Sequence, residues 1–313
     1  MLVALAGGVG AARLLRGLID VMDPAGITAV VNTGDDIVLH GLHISPDLDT
    51  VTYTLAGAVD PDQGWGLAGE TWATMGALER YGGHTWFRLG DRDMATHLFR
   101  TQRLTEHAKL SDVTAAVARA WGVGVRLLPM SDDRVETRVT IAGPVPGTSV
   151  EIGFQEWFVG RRHGVSVESV RFLGADEARP APGVLEAIET AEDLVVCPSN
   201  PIVSIGPLLA VPGIEDALAA RREEVLAVSP IVAGRTLKGP ADQMMTDLGH
   251  EASVVGVARL YAPLVGTLVI DHADAGLASA VEAEGVRAVV APSVMTGPAE
   301  AAALARVVLA CNR

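Results

Sequence analysis

The chain has 313 residues, which fits one large α/β domain or two smaller ones, and its 49% apolar content supports a sizeable core. Its 24 basic and 38 acidic side chains give a formal charge of −14, the wrong sign for a duplex-binding surface, so no nucleic acid partner is expected. No apolar run reaches the ~18 residues of a membrane span, so no membrane association is expected either.

"LVALAG" at the N-terminus reads as a short strand. No basic segment precedes it, so it is not a secretory signal. Glycines follow, then "AARLLRGLIDVM" with apolar residues at helical spacing, then a second strand in "ITAVVNT". Strand, tight turn, helix and strand form a unit that feeds a parallel sheet. The pattern returns in "DLVVCPSN" (193–200), "EVLAVSPIV" (224–232), "GTLVIDHAD" (266–274) and "VRAVVAPS" (286–293), all continuous apolar runs suited to a sheet covered on both faces. Between them, residues 70–122 read mostly helical, with Ser111 as a cap for "SDVTAAVARAWG". Residues 126–173 alternate as antiparallel strands ("RVETRVTI", "SVEIGFQEWFV", "VSVESVRFL") with "PVPGT" as a turn. The expected fold is α/β: a doubly wound, Rossmann-like parallel sheet with a helical and antiparallel β insertion. One catalytic domain spans 1–313, its core about 1–70 and 190–313 and its insertion about 71–189. Cys197 and Cys311 make no disulfide framework, which fits a reducing cytoplasm, and Cys197 reads as a core residue.

"AGGVGAAR" places Gly7, Gly8 and Gly10 between a strand and a helix, where backbone N–H groups and the helix dipole favour an anion. The dinucleotide fingerprint is broken, because Arg13 stands at the third glycine and Asn32 where an acid is expected after the second strand. A phosphate site of another type and a plain tight turn both fit. Past the second strand, "NTGDDIVLHGLHISPDLDT" holds Asp35, Asp36, Asp47 and Asp49 with no lysine or arginine. Asp47 and Asp49 are two apart, so an extended backbone turns both carboxylates to one side. Four converging carboxylates repel unless a cation joins them, and oxygen ligands suit Mg²⁺. A solvated acidic loop, with Asp47 capping a helix that "TVTYTLAG" starts, is the plainer reading.

"LGDRDMATH" packs Asp91, Arg92, Asp93 and His97 together. Arg92 suits either an anion clamp or a local ion pair at a helix start. Ser199, Asn200 and Ser204 in "CPSNPIVSIGP" offer neutral groups to a base or ribose, or simply the turns of a proline-rich connection. Arg235 and Lys238 suit phosphates or plain solvation, and His40 and His43 lack a zinc spacing.

Together "AGGVGAARLLRGL", "VVNTGDD", "HGLHISPDLDTVTYTLAG", "FRLGDRDMATH", "LLPMSDDRVET", "FQEWFV", "PSNPIVSIGPLL" and "VSPIVAG" resemble the 2-phospho-L-lactate transferases of coenzyme F-420 biosynthesis, whose bacterial branch uses a phosphoenolpyruvyl donor. The resemblance runs from the first strand to about residue 245 and more weakly beyond. It implies transfer of a substituted phosphate group from a guanosine diphosphate carrying phospholactate or phosphoenolpyruvate. The acceptor is Fo, a deazaflavin with a ribityl chain, and the products are GMP and coenzyme F-420 lacking its glutamates, or its dehydro form. It further implies a homodimer, with Asp49 and Arg92 contacting Fo. His97, Gly7, Gly8, Gly10, Asn32, Ser199, Asn200 and Ser204 are the remaining candidates for substrate contact. Asp35, Asp47 and Asp49 are the candidates for catalysis, and with Asp36 they are the expected Mg²⁺ ligands. A dehydrogenase on the same fold is disfavoured by the broken fingerprint. A related group of nucleotide-sugar-binding regulators resembles "DDGGSSGRLR" where this chain reads "DDIVLHGLHISPDLDT".

Overall fold

The structure, a computed structural model, describes residues 1–311. Its strands in chain order are β1 (Leu2–Ala6), β2 (Ile27–Val31), β3 (Ile37–Leu39), β4 (Leu42–Ile44), β5 (Arg126–Pro129), β6 (Glu136–Ala142) and β7 (Ser149–Gly153). They continue with β8 (Val167–Leu173), β9 (Asp193–Val196), β10 (Val225–Val228), β11 (Ile231–Val232), β12 (Arg235–Thr236), β13 (Thr267–Ile270) and β14 (Arg287–Val290). Seven form a parallel sheet ordered β14-β13-β10-β9-β1-β2-β5. β1, β2, β10 and β13 are buried along their whole length, because apolar layers cover both faces. Along β1, Val3 and Leu5 join one layer while Leu2, Ala4 and Ala6 join the other. This is the doubly wound fold expected from the apolar runs.

Helices α1 (Gly8–Ile19) and α2 (Pro46–Leu55) pack on one face; α3 (Ala73–Arg80), α4 (Asp93–Thr105) and α5 (Leu110–Ala120) follow. The stretch 71–189 is not one insertion block, because β5 returns to the central sheet beside β2, pairing Leu128 with Val30. The helical part therefore lies before β5 and the antiparallel sheet β7-β6-β8 after it. Two local expectations are corrected. α5 is capped by Lys109, and Ser111 lies inside it with its N–H and hydroxyl donating to Asp132 at 2.7 and 3.0 Å. "FQEWFV" does not extend β7; Glu156–Gly160 forms a π-helical turn that buries Trp157. Among the described residues no helix is long and apolar enough to cross a membrane.

The sheet order fixes where a ligand can bind. From β1 the chain runs to β2 and β5 on one side, and from β9 to β10, β13 and β14 on the other. The crevice beyond the carboxyl ends of β1 and β9 is the topological switch point, where open α/β sheets receive ligands.

Candidate active site

Two loops meet at that switch point and are bound to each other. The Gly7 N–H donates to Ser199 Oγ at 3.2 Å, and the Ser199 hydroxyl donates back to the Gly7 carbonyl at 2.8 Å. Gly10 is forced by contact, since a Cβ there would lie 2.2 Å from the Pro198 carbonyl oxygen. Gly8, at φ +73°, is in the left-handed region that glycine tolerates best. Asn200 accepts from the Ile202 N–H at 2.9 Å and so caps the turn that carries Ser204 to Gly7. Ser199 and Asn200, expected to read a nucleoside, thus hold the loop pair together through their own side chains. Asn32 has a similar place: its Nδ2 donates to Asp47 Oδ2 at 3.0 Å and its Oδ1 accepts from the Gly34 N–H at 2.8 Å.

Asp47 and Asp49 do not lie on an extended backbone, which corrects their expected alignment. Both lie in the first turn of α2, whose helix begins at Pro46 with Ser45 as its N-cap, so Asp47 is not the cap. At about 100° per residue, positions two apart on a helix face opposite ways. Asp47 turns to the glycine loop, where Asn32 and the Gly8 backbone N–H meet its carboxylate. Asp49 turns to α4. The four aspartates therefore divide, with Asp36 between them, close to both Asp47 and Asp49.

Asp35 and Asp47 are buried and Asp36 is half-buried with its Oδ1 enclosed, and their charges are incompletely answered. Burial, then the neighbouring Asp47 and Asp36 charges, raises Asp35 well above the usual carboxylate range. Burial pushes Asp36 up to about 8 against the hydrogen bond from Ser45 Oγ, which is 2.6 Å long. Burial likewise lifts Asp47 to about 6, although Asn32 and Gly8 oppose the shift. Asp35 Oδ1, Asp36 Oδ1 and the hydroxyls of Thr33 and Thr137 are buried with no hydrogen-bond partner. Unpaired buried oxygens on anionic, oxygen-only donors fit a hard divalent cation.

Asp49 differs because its countercharge is internal. Arg100, 3% exposed on α4, forks onto it: Nη1 donates to Oδ2 at 3.1 Å and Nη2 donates to Oδ1. His97 Nδ1 lies 3.2 Å from Arg100 Nη1, and its Nε2 lies 3.3 Å from Asp93 Oδ2. The Tyr53 hydroxyl donates to Asp93 at 2.6 Å. Burial works against the Asp93 charge, yet His97 and Tyr53 hold its pKa below the ordinary value. Asp49, Asp93 and His97 bring ligand-type atoms within 4.8 Å of one another, but the cation among them is Arg100. Sequence reading missed Arg100. Its spacing from Asp93 and His97 along one helix face was visible; its pairing with Asp49 was not.

Arg92 forms no ion pair with Asp91 or Asp93. It is exposed and donates from Nη1 to the Ala68 carbonyl at 2.6 Å, whereas Asp91 accepts from the Ala73 and Thr74 N–H groups at the start of α3. Cys197 is buried, as expected, and burial pushes its thiol up to about 12. His40 lies in a left-handed hairpin turn between β3 and β4, and the His43 N–H donates to Thr101.

The family model described as "2-phospho-L-lactate transferase CofD" matches residues 2–307. A phosphoenolpyruvate transferase of Kitasatospora aureofaciens is 49% identical over 312 residues, covering 99% of this chain and 97% of that protein. One of Streptomyces griseus is 48% identical over 307 residues, covering 97% and 96%. A crystal structure of a Bacillus halodurans protein of the UPF0052 family superposes with a TM-score of 0.60 at 18% identity, covering 98% of each chain, and supports the fold alone.

Proposed function

Because the chain belongs to the CofD family of 2-phospho-L-lactate transferases and is a transferase, we propose that it moves a phosphoenolpyruvyl group from a guanosine diphosphate-linked donor to the deazaflavin Fo. The enolpyruvyl form of the donor is preferred over the lactyl form because the relatives at 48–49% identity are named phosphoenolpyruvate transferases. The observation that carries the reading is the pair of orphaned carboxylate oxygens, Asp35 Oδ1 and Asp36 Oδ1, beside the glycine loop at the switch point. That arrangement suits a diphosphate whose charge is neutralised on the side of the aspartates.

In this reading the terminal hydroxyl oxygen of Fo attacks the β-phosphorus of the donor. The new P–O bond forms as the bond to the bridging oxygen breaks, and GMP leaves with that electron pair. The hydroxyl proton passes to a carboxylate of the aspartate group. Asp35, Asp36 and Asp47 are the residues that would hold magnesium, and the ion, when bound, would supply charge neutralisation for the diphosphate and the departing phosphate. Asp49 stays outside that ligand set, because Arg100 already occupies its two oxygens. Fixed in that way, Asp49 presents one orientation toward Fo, and exposed Arg92 offers its fork from the start of α4. The enzyme is expected to act as a homodimer in the cytoplasm.

The test is turnover of purified protein with Fo, magnesium and each guanylated donor, with GMP release and product mass recorded. Dehydro coenzyme F-420 without glutamates is the expected product. Absence of GMP with both donors would refute the reading, and would be the behaviour of a nucleotide-binding regulator.

A further inference from the structure

Two cations sit beside the glycine loop without an anion to answer them. Arg13 lies one helical turn after Val9 of that loop, and its Nη1 donates to the Met295 carbonyl at 3.1 Å. Lys238, just past β12, donates from Nζ to the Gln63 carbonyl at 2.5 Å. Their charged ends converge on Gly64: a Cβ there would lie 2.8 Å from Lys238 Nζ, 3.4 Å from Val9 Cγ1 and 3.9 Å from Arg13 Nη2. Among the described residues neither forms an ion pair, in a chain with 38 acidic and 24 basic side chains; their partners are main-chain carbonyls. Partial burial and the Arg13 charge together hold the Lys238 ammonium below its ordinary pKa.

The placement is also one-sided. Lys238 follows β10 by way of the separate β11-β12 hairpin, and Met295 follows β14, both central strands on the β9 side of β1, whereas Asp35 and Asp47 follow β2 on the other side. Like charges held close and unpaired repel, and an oxyanion placed between them removes that repulsion while accepting from both. The Gln63 carbonyl oxygen stands where such an oxygen would bind Lys238.

We propose that Arg13 and Lys238 form an oxyanion-binding pair for the donor, on the side of the glycine loop away from the aspartates. The assignment rests on the transferase reading for the identity of the ligand. The donor has two oxyanion sources that share this chemistry, the phosphates of its guanosine diphosphate and the carboxylate of its three-carbon acid. In either case the Gln63–Gly64 turn gives up its contact with Lys238 as the donor enters.

The test uses Lys238→Met, Arg13→Gln and the double variant, with Lys238→Arg as the charge-keeping control. GDP affinity is measured by calorimetry, and KM values for the guanylated phosphoenolpyruvate and for Fo are measured by GMP release. If the pair takes phosphate, GDP affinity falls about tenfold in each single variant and further in the double, with Lys238→Arg close to wild type. If it takes the carboxylate, GDP affinity holds while the donor KM rises by about the same factor. Unchanged GDP affinity together with unchanged donor KM overturns the proposal, as does a rise confined to the KM for Fo. Should the wild-type protein release no GMP at all, the transferase reading fails and the donor is no longer the ligand. The GDP titration then decides the pair alone: weakened binding keeps it as a phosphate site, and unchanged binding overturns it. Lys238 is exposed, so melting temperature is expected to stay at the wild-type value in its variants.

Discussion

Replacing Asp36 with Asn is expected to make the metal-free protein less sensitive to alkaline pH. Burial raises the Asp36 carboxyl from 3.8 to about 8 in the folded chain. Between those two values the folded state holds a proton that the unfolded state has released. The stability this group contributes is therefore complete below about pH 4 and is lost as pH rises toward 8. From pH 5 to pH 8 the loss is about 4 kcal/mol, since one bound proton is worth ~1.4 kcal/mol for each pH step of one. For a chain of this length, with a melting entropy of ~0.7 kcal/mol/K, that is a Tm difference of about 6 °C. Asn keeps the side-chain shape and can still accept from Ser45 Oγ, so the variant should lose that portion of the pH dependence. The assay is scanning calorimetry in chelator at pH 5 and pH 8, for wild type and Asp36→Asn. Parallel curves would refute the reasoning, because they would mean that no buried charge is forced at position 36. Added magnesium should then raise the wild-type Tm at pH 8 more than that of the variant, and its apparent affinity should fall as pH drops from 8 to 6, where protons compete for the same oxygens.

Arg100→Met leaves the Asp49 carboxylate buried without its countercharge, at a cost of about 3–5 kcal/mol measurable by denaturant unfolding; an unchanged midpoint would contradict the buried pair. Arg92→Lys should leave Tm alone, because the side chain is exposed and bonded only to the Ala68 carbonyl, while the KM for Fo rises several-fold and that of the donor holds. A rise in donor KM alone would move Arg92 to the diphosphate. Gly10→Ala forces a Cβ against the Pro198 backbone, so soluble yield and GDP binding should both collapse; normal GDP binding would disprove the close approach of the two loops.

The parallel strands were legible because burial on both faces demands unbroken apolar runs, and "LVALA", "ITAVV" and "TLVI" are such runs. β5 was not. Its four residues, "RLLP", carry no period of their own, and only its pairing with β2 places it in the central sheet. The start of α2 was readable in retrospect from Ser45, then Pro46 at the first helical position, then acids in the first turn. Reading that stretch as extended aligned Asp47 with Asp49, and so merged two groups that the helix separates.

That separation is what composition could not convey. Four aspartates in nineteen residues look alike on paper, yet only Asp49 is bonded to a guanidinium, 51 positions away; Asp36 feels that same Arg100 charge from a distance, too weakly to offset its burial. The same chemical change should therefore act with opposite signs. Asn at position 49 removes an anion that a buried arginine needs, so it destabilises the fold even without substrate. Asn at position 36 removes an anion that burial opposes, so it stabilises the metal-free fold while weakening the hold on a cation. Unfolding of both variants in chelator separates the two roles before any substrate is added. If both substitutions shift stability in the same direction, the division of the aspartates into an internally paired one and a cation-seeking set is wrong.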